Sequence, residues 1–221
     1  MYFKYGIDEI EYLKSRDKLL GEAIDKIGHI YREVDPDLFS SVVHHIIAQQ
    51  ISTSAQATIW KRLCDMLGVI DADRIYSCDR SVIQRCGMTF KKADYIKDFA
   101  DKVKYKQFDI ETLNNMSNKE VIKELSALKG IGVWTAEMIM TFCMQRPDIV
   151  SFGDLAIHRG MRMLYHHRSI DRKKFASYAK RYSPYGTTAS LYLWEIACGA
   201  IPEMRDYAPK KKKEVAKNDP Q

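Results

Sequence analysis

Two short stretches of this 221-residue chain combine residue types that can do chemistry. The first is Leu125-Ser126-Ala127-Leu128-Lys129-Gly130-Ile131-Gly132-Val133-Trp134-Thr135-Ala136. A helix is predicted to end near Leu128, two glycines flank one apolar residue, and a new helix is predicted to begin near Val133. Glycines permit positive φ and close backbone approach. The turn can therefore present free amides beside a helix N-terminus, where a phosphate binds without any need for net basic charge. Ile131 would pin the turn to the core with the amides outward. Read alone, the stretch also fits an ordinary helix–helix connection. The second stretch, about twenty residues on, is Val150-Ser151-Phe152-Gly153-Asp154-Leu155-Ala156-Ile157-His158-Arg159-Gly160. A Gly-Asp pair closes a loop and opens a helix whose Leu155, Ile157, Met161 and Leu164 can face inward. Asp154 there is either a working carboxylate or a plain helix N-cap.

The elements that must position these residues are helical almost throughout. Phe39, Val42, Val43, Ile46, Ile47 and Gln50 fall on one helix face, with Asp35-Pro36 supplying its start. Ser52 or Thr53 can cap a second helix that runs to Leu67 and stops at Gly68. Further helices are predicted at about 8–27, 79–86, 90–106, 117–128, 134–145, 154–166, 171–181 and 186–198. Strand-like alternation is nearly absent, and no repeat of fixed period occurs. The expected fold is all-α, with two helical subdomains and a cleft between them. One subdomain is placed at roughly 35–110, the other at 111–200 plus the N-terminal segment. Residues 1–207 form the folded part, and 208–221 are expected to be a basic disordered tail.

Composition narrows the function classes. With 46% hydrophobic and 29% charged residues, the chain reads as a soluble globular protein. No apolar run approaches the length of a membrane span, and the N-terminus lacks a secretory pattern. Five scattered cysteines read as free thiols of a reducing cytoplasm, with a nucleoid setting if the source is bacterial. The net charge is +6, but five tail lysines against Glu214 and Asp219 account for +3 of it. Charge alone does not mark a nucleic-acid binder. The pairs His44-His45 and His166-His167 do not read as zinc ligands, because neighbouring side chains on a helix point about 100° apart.

Together the two stretches resemble the helix-hairpin-helix DNA glycosylases, in which such a hairpin is followed by a Gly/Pro-rich loop ending in a catalytic aspartate. Ile47-Ala48-Gln49-Gln50-Ile51-Ser52 resembles the segment those enzymes insert beside a flipped nucleotide. Cys86-Gly87-Met88-Thr89-Phe90-Lys91-Lys92-Ala93 resembles their glycine-led helix start, and Ser183-Pro184-Tyr185-Gly186 with Tyr192-Leu193-Trp194 their closing helix. The likeness runs in order over about 35–200.

The resemblance implies a DNA repair enzyme that flips a damaged base out of double-stranded DNA and cuts its glycosidic bond. Strand-cleaving relatives such as endonuclease III carry a lysine nucleophile two residues after the second hairpin glycine. Here that position is Trp134, which resembles the 3-methyladenine DNA glycosylase II group and implies no lyase activity. Only Cys198 follows Cys143, so no iron–sulfur cluster of the endonuclease III kind is expected. An indole suits a base made cationic by alkylation, through cation–π attraction. The implied roles are Asp154 as the catalytic carboxylate, and Trp134, Trp194, Met138 and Leu155 as the base pocket. Gly130, Ile131, Gly132 and Thr135 would contact DNA, and Gln50 would fill the gap. No cofactor is required, although Na+ or K+ at the Ser126, Leu128 and Ile131 carbonyls is implied. Met138 and Leu155 stand where the group's best-known enzyme has tyrosines, which bears on the breadth of base specificity. A monomer is expected. Other readings are a monofunctional glycosylase for an oxidised or mismatched base, a non-enzymatic damage-binding module and a plain helical structural protein.

Overall fold

Helix boundaries follow the capping chemistry. Asp37, Ser52, Asp71, Thr89, Ser117 and Asp171 each accept a hydrogen bond from an otherwise free first-turn amide. The computed structural model describes residues 1–209, so all but the first two residues of the expected tail lie outside the described residues. The N-terminal half contains α1 (Ile7–Arg16), α2 (Lys18–Ile27), α3 (Leu38–Ala48), α4 (Thr53–Leu67), α5 (Ala72–Ser77), α6 (Arg80–Gln84) and α7 (Phe90–Lys104). A 3-10 turn over Glu111–Asn115 leads to α8 (Asn118–Ser126), α9 (Val133–Phe142), α10 (Leu155–Tyr165), α11 (Arg172–Tyr182) and α12 (Gly186–Cys198). Among the described residues the only extended pairing is the isolated Tyr2–Glu33 bridge. The all-α expectation holds.

Two hydrophobic cores organise these helices. The first is built from α3 to α9 and includes Val42, Ile46, Leu63, Phe99, Val121, Ile139 and Ile149. The second joins α1 and α2 to α10, α11 and α12 through Leu13, Leu20, Ile157, Leu164, Tyr182 and Leu193. The N-terminal segment therefore packs with the C-terminal helices. The division falls near residue 150 rather than 110, because α8 and α9 bury Val121, Leu125 and Ile139 against the first core. Phe3, Val34 and Leu191 form a small third cluster beside Phe142 and Trp194.

Three local expectations need correction. The predicted helix over 8–27 breaks at Asp17, which is extended (φ −147°, ψ 102°) and caps α2 through the Leu20 amide. Asp17 is buried and also accepts from Arg181 and Tyr165, at 2.6 and 2.7 Å. Its charge is thus an interior ion pair, which an amphipathic pattern reads as surface. α3 starts at Leu38 with Asp37 as its cap, while Asp35 accepts from the Asp37 amide and from Ser40. Gln50 does not share the α3 face, because the helix ends at Ala48 and Gln50 has φ +58°. The short α5 and the 3-10 turn had no periodic signal long enough to see.

Gly160 sets the approach of α10 to α12. A Cβ there would lie 2.2 Å from the Leu193 carbonyl oxygen, which only backbone movement could relieve. Gly160→Ala is expected to destabilise the protein by about 3 kcal/mol, at the upper end for overpacking. Urea denaturation checks this, and a change under about 0.5 kcal/mol would mean that the two helices separate easily.

Candidate active site

Asp154 is the N-cap of α10, and the residue is only 7% exposed. Oδ1 accepts the amides of Ala156 and Ile157 at 2.8 and 2.9 Å. Two indoles complete its surroundings. Trp194 Nε1 donates to Oδ1 at 3.2 Å, and Trp134 Nε1 donates to Oδ2 at 2.9 Å. All four partners are N–H donors, an arrangement complementary to negative charge. Asp154 is thus the cap of α10, and the helix N-terminus holds Oδ1 while Oδ2 is left beside Trp134.

Asp154, Trp134 and Trp194 line a cleft of about 920 Å3 between the two cores. Trp134 stands 46% exposed on the first turn of α9, whereas Trp194 is covered on one side by Phe142, with ring centroids 5.4 Å apart. Met138, one turn after Trp134, is buried and lines the same space. Residues 31–35 and the α3 histidines His44 and His45 form further walls. A second cavity, of about 730 Å3 beside Phe39 and Phe108, touches neither Asp154 nor a tryptophan.

The hairpin between α8 and α9 lies at the start of the helix that carries Trp134. Ile131 is buried, and its amide donates to the Leu128 carbonyl at 3.1 Å. Gly130 has φ +85°, and a Cβ there would meet the Tyr95 ring at 2.4 Å. Gly132 has φ −95° and open space around it, so its role is lack of bulk rather than unusual torsion. No side chain caps α9, which leaves its first amides available to an outside acceptor. The Thr135 side chain is buried, so only its amide could serve. Among the described residues no backbone N–H donates to the Ser126 or Ile131 carbonyl, and Ser126 Oγ is buried without a partner. With Leu128 O this is an oxygen-only set of the kind a hard cation takes.

The segment after α3 is braced against this hairpin. Gln49 Nε2 donates to the Gly130 carbonyl at 2.5 Å. Lys92 Nζ donates to the carbonyls of Ile47 and Gln49 at 2.8 and 2.6 Å, closing the α3 C-terminus. Gln50, exposed at the tip, thus sits on a fixed base and outside the cleft.

The model of the HhH-GPD superfamily of base excision DNA repair proteins matches residues 43–184. This chain belongs to that superfamily. The crystal structure of a DNA-3-methyladenine glycosidase from Bacillus halodurans superposes with a TM-score of 0.83 and 32% identity, covering 94% of this chain and 97% of that one. DNA-3-methyladenine glycosylase 1 of Schizosaccharomyces pombe is 27% identical over 164 residues, 72% of each chain. The fold is shared by an 8-oxoguanine glycosylase/lyase of Clostridium acetobutylicum bound to double-stranded DNA (TM-score 0.75, 22% identity, 89% of this chain and 72% of that one).

Within this HhH-GPD fold one expected pocket residue falls elsewhere. Leu155 is 84% exposed and does not line the cleft, because Asp154 caps α10 and turns the next side chain outward. Other wall residues had no motif in the sequence: His44, His45, Gln56, Glu33 and Glu195 converge only through tertiary folding. Glu137, behind the wall, had no motif either. On α9, it accepts a short hydrogen bond from Ser151 Oγ in the Gly-Asp loop. Burial pushes its carboxyl above the usual range, the Ser151 bond opposes this, and the nearby Asp154 charge adds to the rise.

A raised carboxyl pKa contributes stability below the ordinary carboxylate range and loses it as pH rises through the raised value. Glu137→Gln, which keeps an acceptor for Ser151, should therefore raise the melting temperature at pH 7 and change it little at pH 4. Thermal melts at the two pH values decide this; an equal shift at both would show that Glu137 ionisation does not burden the fold.

Proposed function

We propose that this HhH-GPD protein is a monofunctional DNA glycosylase that releases alkylated purines, such as 3-methyladenine and 7-methylguanine, and leaves an abasic site. The observation that carries this reading is the Asp154 carboxylate, held under two indoles in a cleft whose other charges are mostly acidic. Glu33, Asp35, Asp154 and Glu195 line it against one cation, Arg32, whose guanidinium rests over the Phe142 ring at 4.7 Å. Such a cleft favours a base made cationic by alkylation, and the open face of Trp134 adds cation–π attraction of about 2 kcal/mol when desolvated. The names of the relatives from Bacillus halodurans and Schizosaccharomyces pombe carry one of these bases, 3-methyladenine.

The chemistry follows from lone pairs. A carboxylate offers about four acceptor sites. Three donors occupy Asp154 Oδ1 and one occupies Oδ2, so Oδ2 keeps capacity toward the cleft. As the base leaves a flipped nucleotide, positive charge builds on the sugar, and Oδ2 can face it or a water attacking it. One carboxylate at about 4 Å and an effective dielectric of about 20 contributes roughly 4 kcal/mol, or about a thousandfold. A cationic base needs little further help to leave. The α9 amides and Gly130 would hold a phosphate of double-stranded DNA, and Gln50 would fill the vacated stack. Na+ or K+ at the Ser126, Leu128 and Ile131 carbonyls would add a positive centre for that phosphate. Among the described residues no lysine lines the cleft, which supports a hydrolytic end point over a Schiff base. The chain is read as acting as a monomer.

Asp154→Asn should keep DNA binding and lose about two to three orders of magnitude in single-turnover excision. Asparagine still offers an oxygen to the helix amides but turns an N–H toward one of the indole N–H groups. A fall of less than threefold would reduce Asp154 to a cap. Strands should remain intact after base release until alkali is added, and a covalent adduct trapped by borohydride would overturn the hydrolytic assignment.

A further inference from the structure

α3 is apolar along most of its length, with Val42, Val43, Ile46 and Ile47 fully buried, yet it carries two adjacent histidines into the cleft wall. The proposed reaction at Asp154 uses neither of them. Their hydrogen bonds fix which ring nitrogens are left over. His45 Nδ1 lies 2.8 Å from the Ser41 carbonyl oxygen. A carbonyl can only accept, so Nδ1 carries the hydrogen. Burial pushes the ring below the ordinary histidine value, so at neutral pH it is uncharged and Nε2 is bare. Among the described residues no group donates to Nε2, and it is not one of the side-chain atoms sealed from solvent without a partner. It therefore reaches solvent, and His45 is part of the cleft wall.

His44 is fixed in the complementary sense. Its Nε2 lies 2.9 Å from Gln56 Nε2, an amide that can only donate, so His44 accepts there and carries its hydrogen on Nδ1. The ring packs on Trp60 with centroids 4.6 Å apart, and burial also lowers its affinity for a proton. The wall thus offers a flipped base one bare acceptor, on His45, without adding positive charge. A charged imidazole would repel a cationic purine; a neutral one does not. Alkylation makes the remaining N–H groups of the purine stronger donors, which suits an uncharged nitrogen acceptor.

We propose that His45 is a specificity-determining residue whose bare Nε2 accepts a hydrogen bond from the exocyclic amino group of the flipped alkylated purine. This rests on the glycosylase reading above and names the feature of the base that the site recognises. It selects among cationic purines, a choice that stacking on Trp134 and attraction to the acidic lining leave almost open.

The test uses the whole protein and duplexes bearing 7-methylguanine, 7-methyladenine or 7-methylhypoxanthine at one position, the last lacking any amino group. Single-turnover release is divided by the spontaneous rate for each base. At least one amino-bearing base should leave about tenfold ahead of 7-methylhypoxanthine, as expected for one hydrogen bond. His45→Leu should bring the ratio within twofold, and His45→Gln, which places an oxygen near the Nε2 position, should restore most of it. Nitrogen NMR of the free protein should show His45 with hydrogen on Nδ1 alone. An unchanged ratio in folded His45→Leu, or an Nε2–H or charged ring, overturns the proposal. Failure of the unaltered protein to release any methylated purine would instead overturn the glycosylase reading, while the NMR result still reports on the ring.

Discussion

A carboxylate taken out of water must find donors for its lone pairs or lose several kcal/mol. At Asp154 that requirement is met by groups from three helices, and they do not share a core. Trp134 comes from α9, packed with the first core, while the α10 amides and Trp194 belong with the second. Apolar burial holds each half together but is non-directional and sets no angle between them. Directional bonds between them do, the Trp134–Asp154 bond among them. They fix the plane of the Trp134 ring and the place of the residue that the proposed chemistry needs.

Charge is handled on two scales. The formal net charge is modest, and half of it lies beyond residue 207. Uncapped backbone amides at the hairpin supply positive potential where the proposed phosphate would sit, whereas side chains make the cleft acidic. A protein organised in this way can hold a polyanion at its surface and still favour a cation inside. Net charge would never have disclosed that division, because the amides carry no formal charge.

The residues that sequence reading located best are those bound to a local motif. Asp154, Gly130, Ile131 and Trp134 lie in two short stretches whose turn chemistry and spacing are visible in one dimension, and the structure brings Asp154 and Trp134 into contact. Helices with long apolar stripes were equally legible. What failed was non-local. Asp17 is a charged residue whose partners, Arg181 and Tyr165, lie roughly 150 residues away, so nothing nearby announced the break between α1 and α2. Leu155 is a local exception: the family resemblance put it in the pocket, but the Asp154 cap leaves its side chain outward. The histidine wall was set aside because two neighbours cannot share a metal. That reasoning was sound for zinc and silent on hydrogen bonding.

The bracing of the segment around Gln50 bears on how such a protein meets undamaged DNA. Its conformation is set by Gln49 on Gly130 and by Lys92 on two carbonyls, so it is ready before any duplex arrives. With Gln50 as the plug, no ordering entropy remains to be lost by this tip at each encounter. The energy of probing then lies almost wholly in the nucleic acid, as the few kcal/mol needed to unstack and unpair a nucleotide. Pairs already weakened by a lesion yield first. Selection by such a rigid probe begins with the mechanics of the double helix, before any atom of the base reaches a pocket.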